Sequence, residues 1–213
     1  GTIAQINAFA LGAQMTNPRA KVYLEWSTLK EQDIEKRIDE IDPNCISGKD
    51  IIVPDDNNHF YGVYHRESGG GEQKNLAMPL CHWGKFYEEL IRTIMAGNWE
   101  QDNDVEKAIN YWWGMPTGVV DVICSKKLPA GTVRLVNVLK HNYKTGQFHT
   151  FTDQMYAQGH ILKEKKGEKL SPEEVIEMDW LAENIIGRIP KIEELQEQAK
   201  PVLTQQGIET RKG

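Results

Sequence analysis

"INAFALGAQMTNPRAKVYLEW", residues 6–26, changes its hydrophobic period in mid-course, and that change sets the fold class. Ile3, Ile6, Phe9, Ala10 and Ala13 fall near the 3.6-residue spacing of a helix, and Asn17-Pro18 stops it. The last six residues, "KVYLEW", read as a strand. Helix and strand signals then keep alternating along the chain. "EQDIEKRIDEI" (31–41) is an amphipathic helix, and "KDIIVP" (49–54) and "HFYGVYH" (59–65) are strand candidates. After a flexible surface loop, "ESGGGEQKN" (67–75), comes a short buried strand, "LAMPL" (76–80). A helix follows over residues 84–96, with Phe86, Leu90, Ile91 and Ile94 on one face and Gly97 as its stop. "GVVDVIC" (118–124) is a further strand, and "PAGTVRLVNVLKHNYKTG" (129–146) a helix capped by Gly146. "QFHTFTD" (147–153) and "GHILKEKK" (159–166) read as a hairpin. The helix predicted over residues 171–187 opens with Ser171 as N-cap, Pro172 at its first position and Glu174 completing a capping box. The tail from Ile192 reads as helical. Such alternation implies α/β with a mostly parallel sheet, holding "KVYLEW", "DIIV", "FYGVY" and "GVVDVI" together. A sheet of this kind begins with its central strand, whereas this chain begins with a helix. The N-terminal part of the fold is therefore expected upstream.

The 213 residues are enough to bury a sizeable core, and 39% hydrophobic and 26% charged residues are ordinary for a globular chain. A net charge of −6 without any basic stripe argues against nucleic acid. The apolar runs are far shorter than the roughly 20 residues of a membrane span, and the first residues lack a secretory signal pattern. Cys45, Cys81 and Cys124 are widely spaced and form no CxxC pair, so they read first as small buried hydrophobes, with one disulfide plus one free thiol as the alternative.

No catalytic signature stands out: there is no GxSxG, no P-loop and no HExxH, and the glycine run 69–71 lacks a strand-to-helix context. Asp55-Asp56 and Asp102 with Asp104 read as solvated loop charges. Aromatics instead gather at strand ends, at Trp26, Tyr64, Trp83 and Trp112-Trp113. In a parallel sheet the carboxyl ends of the strands border the ligand crevice, and aromatics there suit a flat, partly apolar ligand. The expected ligand contacts are Trp26, Tyr64, Arg66, His82 and Trp83, with no catalytic residue, metal or cofactor. His82 reads equally as a ligand contact or a hydrogen-bonded structural histidine, and Arg66 equally as an anion contact or a solvated loop residue. Trp113 and Asp121 are expected to support the sheet, where Gly114 and Gly118 allow a tight turn.

The segment 6–26 resembles the helix-to-strand passage of the basic membrane protein (BMP) or PnrA-like family of substrate-binding lipoproteins. "CHWGKFYEELIRTIMAGNW" (81–99), "YWWGMPTGVVDV" (111–122) and "LSPEEVIEMDWLAENIIGRIP" (170–190) are similar to further motifs of that family, in the same order. The resemblance implies a two-lobed type I periplasmic-binding fold with part of the first lobe missing. By the same resemblance, residues 1–75 and 106–190 belong to the second lobe and hinge, 76–105 return to the first lobe, and 191–213 form a helical tail. It implies an extracytoplasmic, lipid-anchored protein that hands a nucleoside or purine to an ABC transporter permease. Self-association is expected of a chain lacking its first-lobe partners. One departure bears on the ligand. Where the family has Gly-x-Asp-x-Asp for the ribose hydroxyls, this chain has Gly62, Tyr64 and Arg66. A guanidinium only donates, so Arg66 would suit a carboxylate or phosphate. A ligand-sensing regulatory domain on the same fold is the alternative from another class, and an enzyme that has borrowed the fold is a third.

Overall fold

The helix at the start of the chain is α1, Thr2–Thr16, and it is followed by α2 (Ile34–Ile41), α3 (Trp83–Met95), α4 (Ala130–Lys144) and α5 (Pro172–Ile176). The strands, in chain order, are β1 (Val22–Tyr23), β2 (Cys45–Ser47), β3 (Val63–Arg66), β4 (Gln73–Cys81), β5 (Val120–Cys124), β6 (Gln154–Ala157), β7 (Ile161–Glu164) and β8 (Ile185–Ile186). The computed structural model describes residues 2–48, 61–69, 71–96, 114–152, 154–164 and 168–200. The "DIIV" strand, the row Tyr111, Trp112 and Trp113, Gly97 and the acidic pairs at 55–56 and 102–104 lie outside the described residues. The chain divides into two units, residues 1–41 with 150–213, and residues 42–149.

In the first unit, a polar residue organises the core. Asn7 is fully buried on α1 between the small residues Ala4 and Ala10. Its amide donates to the Trp180 carbonyl at 2.7 Å and accepts from the Ala182 N–H at 2.9 Å. Asn184 donates in turn to the Ala10 carbonyl at 2.8 Å. The segment 178–186 is thereby laid along α1. Ala10, Leu181, Ala182 and Ile185 make the core there, with Ile3, Ile6, Val22, Leu24 and Trp180 packed against it. β1 pairs with β8 in parallel, Val22 opposite Ile185.

These bonds correct the long helix predicted over residues 171–187. The capping box is present, with the Glu174 N–H donating to Ser171 Oγ at 3.3 Å and the Ser171 N–H to Glu174 Oε2 at 2.7 Å. The helix nevertheless ends at Ile176. Beyond it, the Trp180 carbonyl and Ala182 N–H serve Asn7, and the Asn184 carbonyl accepts from Val22. Those groups cannot also close an i→i−4 ladder. Of the tail expected to be helical, residues 192–194 make a single 3-10 turn, after which Leu195 bridges to Leu29, while residues 201–213 lie outside the described residues. The hairpin forms, but its first arm is β6 rather than residues 147–153. β6 lies where its backbone reaches the core segment, through Glu183 N–H to the Tyr156 carbonyl and Gln158 N–H to the Leu181 carbonyl, both 2.9 Å. Gly159 (φ 76°) and His160 (φ 58°) supply the positive φ angles of a tight turn.

The second unit carries a sheet of order β2-β3-β4-β5, every neighbouring pair antiparallel. This overturns the mostly parallel sheet expected from the alternation, and "KVYLEW" does not share it. Among the described residues, β1 with β8 is the parallel pair. Only residues 67–72 separate β3 from β4, far fewer than the dozen or so a parallel crossover needs. The supposed loop "ESGGGEQKN" is cut short because β4 already begins at Gln73. Gly62 enters β3 with φ 63°, and a Cβ there would sit 2.7 Å from Met78 Cα and closer still to the Ala77 carbonyl. Pro79 stands inside β4 without losing a ladder bond. His82 N–H donates to Val119 and Ser125 N–H to the Leu76 carbonyl, so even-numbered residues of β4 face β5. The Pro79 nitrogen therefore points the other way, past the end of β3. On β5, Asp121 holds Lys140 of α4 at 2.6 Å, and Lys140 also donates to the Val122 carbonyl at 2.9 Å. Gly118 turns the chain into β5 with φ 74°, whereas Gly114 has a negative φ. The fold is mixed α/β.

Candidate functional site

Parallel pairing of β1 and β8 brings the carboxyl ends of both strands, Tyr23 and Ile186, to one edge of the first unit. Just past them lies a hollow of about 330 Å³. Leu24, Trp26, Leu29, Ile186 and Pro190 make its apolar wall. Gly187 (φ 148°) brings the chain close beneath it, since a Cβ there would lie 2.9 Å from the Leu24 side chain and carbonyl. A second hollow of about 680 Å³ shares Leu29, Gln32, Arg37 and Arg188 with the first, and is otherwise lined mostly by charged residues such as Lys30, Asp33, Lys36 and Glu194.

Each polar group at the junction has a defined partner. Trp26 Nε1–H donates to the Arg188 carbonyl at 2.8 Å, which leaves the indole only its faces to offer a ligand. Arg37, on α2, lies between Glu25 (3.0 Å) and Glu40 (2.6 Å), and the hydrogen bond to Glu25, then that to Glu40, holds its guanidinium above the usual range. Gln32 donates to the other oxygen of Glu25. Arg188 grips Glu194 with two prongs, one of them Nη1 to Oε2 at 2.6 Å. That bond, with the Lys191 N–H, pulls the Glu194 carboxyl down to about 2. The arrangement offers an aromatic face at one end and internally neutralised charge at the other. It can hold a flat ring with polar substituents by stacking and hydrogen bonding.

The remaining sequence-predicted contacts lie in the second unit. Tyr64 is half-buried on β3, and burial pushes its phenol up, with Arg66 opposing. Arg66 shares a strand face with Tyr64, is 8% exposed, and has Nη1 3.7 Å from Asp42 Oδ1. It is a buried, charge-facing residue rather than a solvated one. His82 caps α3 with its backbone, its N–H donating to Val119 at 2.7 Å and its carbonyl accepting from Phe86 at 3.1 Å. Trp83 is 61% exposed and meets Phe86 edge-to-face at 5.9 Å. Antiparallel pairing sets these residues apart. Arg66 pairs with Gln73 at the start of β4, while His82 and Trp83 follow its end. Nine residues of strand span roughly 25–30 Å, so one small ligand touches Tyr64 and Arg66 or His82 and Trp83, not both.

Of the residues that line this hollow, sequence reasoning names Trp26 and does not name Leu29, Arg37, Gly187 or Arg188, which complete its surroundings. The signal for two of them was present in "IIGR" (185–188), a β-branched pair before glycine, which reads as a strand end once the helix over 171–187 is set aside.

No protein-family profile matches the chain. It is 25% identical over 197 residues to a purine-binding protein of Brucella abortus (strain 2308), an alignment covering 87% of this chain and 54% of that protein. It is 30% identical over 129 residues to a putative ABC transporter glucose-binding protein of Haloferax volcanii, covering 55% of this chain and 31% of that one. The chain thus spans about half the length of the first relative and about a third of the second. Among the described residues, no helix is long and apolar enough to cross a membrane.

Proposed function

We propose that this chain is the C-terminal portion of a BMP/PnrA-like solute-binding protein that takes a purine or purine-like ligand and delivers it to an ABC transporter permease. It acts outside the cytoplasm, tethered by an upstream lipid anchor, and catalyses no reaction. The observation that carries this reading is the similarity to the purine-binding protein across 87% of the chain. The hollow at the carboxyl ends of β1 and β8 supports it, because the Trp26 ring that lines it suits stacking on a purine. By the resemblance, Tyr64 and Arg66 replace the family's ribose-binding aspartates, and the loss of those diol acceptors favours a free base over a plain nucleoside. His82 and Trp83 are the alternative contact pair at the other end of β4.

Calorimetric titration of the full-length protein with adenine, guanine, hypoxanthine, adenosine and glucose tests the proposal. A free purine is expected to bind more tightly than adenosine. A protein that binds none of the purines or adenosine overturns the reading. Binding of glucose in their place would favour the second reading, a sugar-binding protein, which the Haloferax similarity supports over 55% of the chain.

A further inference from the structure

We propose that Glu194 is a positioning residue for Trp26, acting through Arg188 as a latch on the loop of residues 26–30. The role in binding rests on reading the Trp26 hollow as the ligand site.

A tryptophan side chain has two torsions, and a hydrogen bond from its Nε1 sets the plane of the ring. Here that bond goes to the Arg188 carbonyl at 2.8 Å, so the ring follows wherever that carbonyl is held. Arg188 is held by its own guanidinium, gripped by the Glu194 carboxylate. Glu194 also accepts the Lys191 N–H on the same carboxylate at 2.7 Å, and its backbone carbonyl takes the Lys30 N–H at 3.1 Å. Lys30 lies four residues after Trp26, so the circuit closes on the loop it began from. Further bonds run alongside. Gln196 N–H donates to the Thr28 carbonyl at 2.8 Å, Gln196 Nε2 to the Leu29 carbonyl at 3.0 Å, and Lys30 Nζ to the Glu193 carbonyl at 2.7 Å. Leu195, 3% exposed, forms the bridge to Leu29. One short segment, residues 188–196, thus answers the polar groups of the loop that carries the stacking ring. Glu194 enters the circuit three times. Held this way, the ring does not have to be ordered when ligand arrives, which lowers the entropic cost of binding.

The test compares wild type, Glu194→Ala, Arg188→Ala and the conservative Glu194→Asp, with Trp26→Phe as the spectroscopic reference. Acrylamide quenching of the Trp26 component, taken as the difference from Trp26→Phe, reads the latch without any ligand. Glu194→Ala and Arg188→Ala are each expected to raise that quenching and to weaken adenine binding roughly threefold to tenfold, with Glu194→Asp recovering part of both. Thermal unfolding should stay within a few degrees of wild type; should Glu194→Ala fail to fold, Glu194→Gln carries the same test. Unchanged Trp26 quenching in both alanine variants overturns the latch, whatever adenine does. Altered quenching in a wild-type background that binds no adenine supports the latch and sinks the adenine reading instead.

Discussion

Asparagine is a poor residue for a helix interior because its amide competes with the backbone for partners. At Asn7 the competition is resolved by tertiary structure, since both ends of the amide are satisfied by the segment at 180–182. Asn7→Ala should therefore leave a buried N–H and a buried carbonyl without partners. A loss of about 2–3 kcal/mol in denaturant-melt stability is expected, and a loss under half a kcal/mol would contradict the role assigned to Asn7. Trp26 is the opposite kind of residue. Its ring is only partly buried and its N–H bonds an exposed backbone carbonyl, that of Arg188, so Trp26→Ala should cost on the order of 1 kcal/mol of ligand affinity while leaving the melt nearly unchanged. Calorimetry on the folded variant decides this; normal binding would make Trp26 a packing residue.

The four-stranded sheet depends on one backbone position. Gly62 combines a left-handed φ with an approach that leaves no room for a Cβ against the Ala77 carbonyl and Met78. Gly62→Ala should cost roughly 2 kcal/mol or more and raise hydrogen exchange along β3 and β4, whereas unchanged protection there would refute the steric argument. The docking of α4 on β5 carries a pH signature. The hydrogen bond from Lys140 is the main reason the Asp121 carboxyl lies below its usual value, with the Val122 N–H helping. A carboxyl depressed in the folded state stabilises above its unfolded pKa and loses that contribution as pH falls through the folded one. Wild type and Lys140→Met should therefore differ in unfolding midpoint near neutral pH and converge in acid. A constant gap from neutral pH to well below the ordinary carboxylate range would show that packing, not charge, is what Lys140 supplies.

At the scale of the molecule, the described residues include an exposed apolar helix face. On α3, Trp83, Tyr87, Ile91 and Met95 recur every four residues and are all exposed, Met95 to 82%. An apolar stripe of this size favours association. The chain is expected to self-associate in sedimentation velocity as concentration rises, and Tyr87→Glu with Ile91→Glu to return it to a monomer. A wild-type chain that stays monomeric throughout would count against exposure of this stripe in solution.

What the sequence by itself determined lies within reach of one helical turn or one cap. The helices α1, α3 and α4 are legible from periodicity, the start of α5 from Ser171 and Glu174, and the end of α4 from Gly146, while one residue lining the candidate hollow, Trp26, is named as an aromatic at a strand end. These features depend on neighbours a few residues away. Strand direction, the non-helical course of residues 178–186 and the company Trp26 keeps depend on hydrogen bonds between distant segments. A helical period over residues 177–187 gives way because Asn7 and Val22 bond to that backbone. Arg37 and Arg188 line one hollow because β1 pairs with β8. Local propensity is worth tenths of a kcal/mol per residue, while a buried polar group left without its partner costs about 1–3 kcal/mol, so tertiary pairing prevails wherever the two conflict.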